Sequence, residues 1–104
     1  DNPLNFVDPS GTAMFVYSIQ RGVELGLLKA KEYTLVAYRG YQSLFPFIQV
    51  NDRGLLDVIG ACDGVVIKKN FVEYVTVPKI LNAKEAVAGI LWAAVIMETE
   101  QLKK

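Results

Sequence analysis

Apolar positions near the start of the chain recur three and four apart. Ala13, Met14, Phe15, Val16, Tyr17, Ile19, Val23, Leu25 and Leu27 make a broad apolar surface, and Gln20, Arg21 and Glu24 mark a narrow wet stripe. This pattern predicts a helix. Its start is signalled by Asp8 followed by Pro9, an acidic N-cap with proline in the first turn, where a missing N–H costs nothing. Gly26 suits its C-terminal cap. Tyr33, Val36, Ala37, Gly40, Tyr41 and Leu44 predict a second helix, with Lys31, Glu32, Arg39 and Gln42 outward and Pro46 ending it. The turn cluster Asn51, Asp52, Arg53 and Gly54 leads into Leu55 to Ile59. That segment and Phe71 to Val77, both β-branched and aromatic, read as short strands of a hairpin-like insertion, with Gly60, Asp63 and Gly64 in the loop and Pro78 closing the second strand. Asn82 with Glu85 three residues on has the capping-box pattern, so a last helix is expected from there to about Leu102.

The last helix is apolar on every side from Ala86 to Met97. A helix without a wet face needs protein all round it, which two other helices cannot supply. The chain is therefore expected to be a piece of a larger helical array or to hide this surface in a homo-oligomer. Its 104 residues, 11.5 kDa, form one segment, 1–104, with no second domain. With 52% hydrophobic and 21% charged residues the composition excludes disorder and is slightly too apolar for so small a free domain. Zero net charge leaves no electrostatic footprint for phosphates, so nucleic acid is not an expected partner. A single cysteine, Cys62, and the absence of histidine remove disulfides, zinc cages and His-assisted nucleophiles, so no metal or cofactor is expected. Chemistry here would rest on carboxylates or backbone dipoles. The longest apolar run is shorter than the ~20 residues of a membrane span. Opening at Asp1 without a methionine or leader, the chain is read as processed or truncated, and its compartment is not legible.

Asp1, Pro3, Asn5, Phe6, Val7 and Asp8, then Ser10 to Phe15, resemble the D-x-P…N-Y-L-E-[ST]-S-G-[ST]-A-M-F stretch of the family 88 and family 105 glycoside hydrolases, the unsaturated glucuronyl and rhamnogalacturonyl hydrolases. The resemblance continues, in family order, through Arg21 to Val23, Leu25, Gly26 and Leu28, then Gly54 and Leu55, Gly60 to Gly64, Asn82 to Ala86, and Leu91 to Ala93. It implies a mainly α fold, the C-terminal part of an (α/α)6 toroid of six inner and six outer helices. In that setting the apolar last helix, Trp92 included, would be interior. The implied activity removes a 4,5-unsaturated galacturonyl or glucuronyl residue from lyase-generated oligosaccharides of pectin or glycosaminoglycan type. An aspartic acid protonates the double bond at C4, water adds at C5, and the hemiketal rearranges to release the saturated sugar. The family's catalytic Asp lies in the N-terminal half, so the resemblance implies no catalytic residue in this chain, an inactive fragment, and the missing part of the same domain as partner. Asp8 stands where the family has Glu, Pro9 replaces Ser or Thr, Phe6 replaces Tyr, and Val65 to Asn70 matches poorly.

Substrate-binding candidates are Ser10, Gly11 and Thr12, whose first-turn N–H groups could face the substrate carboxylate, and Lys84, a cation at the start of the last helix. Each has a plainer reading: a cap and small-residue helix contact for the first three, a solvated side chain beside a capping Glu85 for Lys84. Cys62, beside Asp63 and without a nearby cation, reads as a buried structural thiol. Tyr33, Tyr38, Tyr41, Phe45 and Phe47 read as a core face, and Lys68 and Lys69 as a solvated loop tip. Two competing functions remain: a non-catalytic helical interaction or dimerisation module, and a membrane-surface helix, disfavoured because the last helix has no basic face.

Overall fold

The computed structural model describes residues 2–103; Asp1, which opens the family stretch, and Lys104 lie outside the described residues. The first helix, α1 (Pro9–Glu24), starts at an Asp8 N-cap whose carboxylate accepts from the Ser10 amide, as expected. It ends on Gly26 at φ +74°, where the Leu27 N–H donates to the Gly22 carbonyl and the Gly26 N–H to Val23, a Schellman cap that needs glycine's left-handed freedom. Helix α2 (Ala30–Ser43) runs back along α1, setting Gly40 against Val16. Pro46 then turns the chain through a 3-10 segment, Phe45–Phe47.

Beyond it β1 (Ile48–Val50) pairs antiparallel with β2 (Leu56–Val58), and a second two-stranded sheet joins β3 (Ala61–Cys62) to β4 (Lys79–Ile80). The insertion thus holds two short strand pairs in place of one. The strand expected over Phe71 to Val77 is instead a short helix, α3 (Phe71–Val75). Asn70 caps it by accepting from the Glu73 amide, and this local capping signal outweighs the β-propensity of Phe71, Val72 and Tyr74.

The last helix, α4 (Lys84–Leu102), ends where expected, but its start is not a capping box. Its N-cap is Ala83, without a side-chain bond. Asn82, at φ +55°, gives its side chain to β2: Oδ1 accepts from the Val58 N–H at 2.7 Å and Nδ2 donates to Asp57 at 2.9 Å. A tertiary pairing has won the residue that local spacing assigned to the helix end, and one buried carboxylate oxygen of Glu85 has no partner among the described residues.

Helices α1 and α4 lie parallel. Near their starts Gly89 meets Ala13, where an added Cβ would lie 3.2 Å from the Ala13 methyl, and near their ends Lys103 Nζ sits 3.8 Å from Glu24. The core joins Ala13 and Val16 to Ala37, Tyr41 and Leu44 and to Ala86, Ile90, Ala93, Ile96 and Met97. Tyr41 is the one member of the predicted aromatic core face that is fully buried; Tyr33 and Phe45 are exposed, and Tyr38 and Phe47 are half-buried. The stripe that packs is Ala37–Tyr41–Leu44, so the three- and four-residue spacing holds while its aromatic neighbours flank it.

Candidate functional site

Because α1 and α4 are parallel, both begin at one end of the molecule, beside the two strand pairs. Three of the four predicted site residues, Ser10, Gly11 and Thr12, form the first turn of α1, and the fourth, Lys84, is the first residue of α4. The fold brings these elements to the same end without joining the residues: among the described residues no hydrogen bond or ion pair links Lys84 to that turn. Lys84 is exposed at the rim of an apolar cavity against β1 and β2.

The first turn is organised by Asp8. One carboxylate oxygen accepts from the Ser10 N–H at 2.8 Å and the Ser10 hydroxyl at 2.6 Å; the other accepts from the Cys62 N–H and thiol, both at 3.1 Å. Burial on its own would raise the Asp8 pKa, but these hydrogen bonds outweigh it and hold the carboxyl below its usual value. The same contact, after burial, pushes the Cys62 thiol up, so Cys62 is a buried, protonated donor and not a nucleophile. The raising charge is Asp8, 54 residues away in sequence, and not the neighbouring Asp63 on which the sequence reading drew.

This leaves a specific arrangement of donors. Pro9 has no N–H, the Ser10 N–H is taken by Asp8, and the Thr12 N–H points back to the Asp8 carbonyl at 3.5 Å. Among the described residues the Gly11 N–H is the first-turn donor left over, and a Cβ at Gly11 would meet nothing within 4 Å. The close helix contact at Gly89 reaches the Ala13 methyl, 3.2 Å from an added Cβ, and also the Ser10 carbonyl oxygen, at 3.5 Å, so Ser10 takes part in the small-residue contact of its plainer reading. Among the described residues no group of three or more His, Cys, Asp and Glu side chains could hold a metal ion, and no helix is long and apolar enough to cross a membrane.

With this geometry established, the whole chain can be compared with known proteins. The sequence pattern of Glycosyl Hydrolase Family 88 matches residues 1–101. The chain belongs to this family. A solved structure of a family 105 glycoside hydrolase from C. acetobutylicum ATCC 824 superposes with a TM-score of 0.84 at 26% identity over 94% of this chain. The match covers 29% of that longer chain. No curated protein matches the sequence. The mainly helical fold expected of part of a family 88/105 domain is therefore the fold observed, with three main helices and short strand pairs.

The stretch ending in Asp8, just before Ser10 to Phe15, meets Gly60 to Gly64 at the Asp8–Cys62 contact, through a residue that departs from the family's Glu. That meeting was not legible in sequence. Asp8 could be read as an N-cap, but nothing local signals that its second oxygen reaches a strand beyond α2.

Proposed function

We propose that the chain is the C-terminal portion of a hydrolase that removes 4,5-unsaturated galacturonyl or glucuronyl residues from lyase-generated oligosaccharides by hydrating the C4–C5 double bond. The observation that carries this reading is the family 88 match over 1–101. The rest of the domain supplies the proton-donating aspartic acid. This segment supplies the Gly11 N–H left over among the described residues and the positive end of α1, with the Lys84 cation at the same end of the molecule, to hold the sugar's carboxylate. The lack of a Cβ at Gly11 lets an anion approach the backbone.

The test follows the loss of ultraviolet absorbance of the double bond of an unsaturated disaccharide. The parent polypeptide turns the sugar over and this segment alone does not. In the parent, Gly11→Val lowers kcat/KM while leaving Tm nearly unchanged, because the space beside Gly11 is open within this segment. Turnover by the segment alone at the parent's rate, or normal kinetics in the Gly11→Val enzyme, overturns the respective part of the reading. A second reading, a non-catalytic helical interaction module, is favoured by the exposure of Leu91, Trp92 and Val95 on α4. A parent lacking turnover would support it.

A further inference from the structure

In the strand pair β3–β4, Cys62 and Lys79 are directly opposed, so their side chains leave on the same face. Two contacts identify that face as the one turned to the segment leading into α1. The Cys62 thiol donates to Asp8, and the Lys79 ammonium lies 3.9 Å from the centre of the Phe6 ring. Lys79 is exposed and, among the described residues, makes no ion pair. A ring face attracts the ammonium but offers it no lone pair, so its three N–H donors remain for solvent or a ligand. Space beside it is open, because Lys79 also lines a shallow pocket of about 230 Å³ with Ile59, Gly60, Ile80 and Leu81. The surrounding charge has the same sign. In a chain of zero net charge, the stretch from Gly60 to Lys84 carries Lys68, Lys69, Lys79 and Lys84 against Asp63 and Glu73. The Glu73 carboxylate is already engaged by the Lys69 N–H. Lys84 opens onto the β1–β2 cavity beside Ile48 and Leu56, whereas Lys79 is held on the α1 side.

We infer that Lys79 is a specificity-determining residue that pairs with an oxyanion, a sulfate or a carboxylate, on the sugar next to the unsaturated residue. The inference rests on the function proposed above, in which the Gly11 N–H takes the carboxylate of the unsaturated residue itself. The two donors are separated by the Asp8–Cys62 contact and one strand spacing of about 4.8 Å, so they address neighbouring sugars and not one carboxylate. Resting on the Phe6 ring, the ammonium is also placed before a ligand arrives, and less side-chain freedom is lost on binding. The plainer role of the same contact is a clamp: Cys62 on Asp8 and Lys79 on Phe6 together fasten the entry to α1. A clamp needs the aliphatic chain over the ring, whereas an oxyanion needs the charge, and substitution separates the two.

The test uses the parent polypeptide and three 4,5-unsaturated disaccharides whose second sugar is sulfated, a uronate or neutral. Affinity is read by calorimetry, and kcat and KM by loss of the double bond's absorbance. The parent is expected to prefer an anionic second sugar, and the preferred arm tells sulfate from carboxylate. Lys79→Met, which keeps an apolar chain against the ring, lowers that preference roughly fivefold through KM, the upper end for an exposed ion pair, with Tm nearly unchanged. Lys79→Arg retains the preference. Lys84→Met, acting on the unsaturated residue, weakens all three substrates together and leaves the preference as it was. A parent without preference, or a Lys79→Met enzyme that keeps the preference or loses equally on all three sugars, overturns the inference. Turnover of none of the three sinks the hydrolase reading alone: the calorimetric preference and its loss in Lys79→Met then still decide for or against Lys79.

Discussion

At the scale of single residues, two polar side chains carry opposite consequences. Asp8 is fully used, with hydrogen bonds to both its oxygens. Its folded pKa is held below the unfolded value near 3.9, so its contribution to stability is complete above about pH 4 and is lost as pH falls through the lower folded value. Asp8→Ala is expected to cost about 1 kcal/mol at neutral pH, as the loss of a good cap does, and to flatten the acid limb of stability. Urea midpoints for both proteins between pH 2 and pH 7 check this; parallel curves would refute it. Gln20 is the reverse case. It is fully buried, and neither its Nε2 nor its Oε1 has a hydrogen-bond partner among the described residues. Unpartnered buried amide groups cost about 1–3 kcal/mol each, so Gln20→Leu should stabilise the fold, with a higher melting temperature as the readout.

Among the elements, α1 and α2 approach closely at Gly40. A Cβ at Gly40 would stand 2.7 Å from Val16 Cγ2, so Gly40→Ala forces Val16 to move. Overpacking of this kind costs about 1–3 kcal/mol, which outweighs the roughly 1 kcal/mol that alanine gains over glycine in a helix. Combining Gly40→Ala with Val16→Ala should recover part of the loss, and a double-mutant cycle on denaturation free energies measures it. The elements also show where sequence is sufficient. Helices α1, α2 and α4 were legible because their apolar period, Asp8–Pro9 start and Gly26 stop are local signals. The insertion was not, because its strands are two or three residues long and are chosen by distant partners: Cys62 pairs with Lys79, and Asn82 gives its amide and side chain to β2. Asn82 had the right spacing for a capping box, and only the tertiary position of Val58 decides otherwise. The site was legible to the same degree. That Ser10, Gly11, Thr12 and Lys84 lie at helix starts was readable, but which first-turn donor is left over among the described residues, the Gly11 N–H, depends on the Asp8 contacts.

For the whole molecule, the informative residue is Trp92. Here it stacks edge-on against Tyr17 at 5.0 Å between ring centres and remains 61% exposed. Trp92→Ala in this segment alone should therefore change stability by less than about 1 kcal/mol. In the longer hydrolase proposed above, where the toroid implied by the family resemblance would enclose α4, the same substitution should cost about 3–5 kcal/mol, from lost burial and the cavity left behind. Chemical denaturation of both proteins makes the comparison, and equal small effects would mean that the tryptophan stays at a surface.

The parallel packing of α1 and α4 also sets a schedule for biosynthesis. The apolar side of α1 around Ala13 meets its partner at Gly89, on a helix made long after it. At about 5–20 residues per second of synthesis, roughly 4–15 s pass between the two, and more before the helix clears the ribosome. Through that interval α1 can lean on α2 but not on α4. Exposed apolar surface of this kind is what chaperones bind and what aggregation uses, so the order in which the chain is made, as much as its final contacts, determines how much of it reaches the folded state.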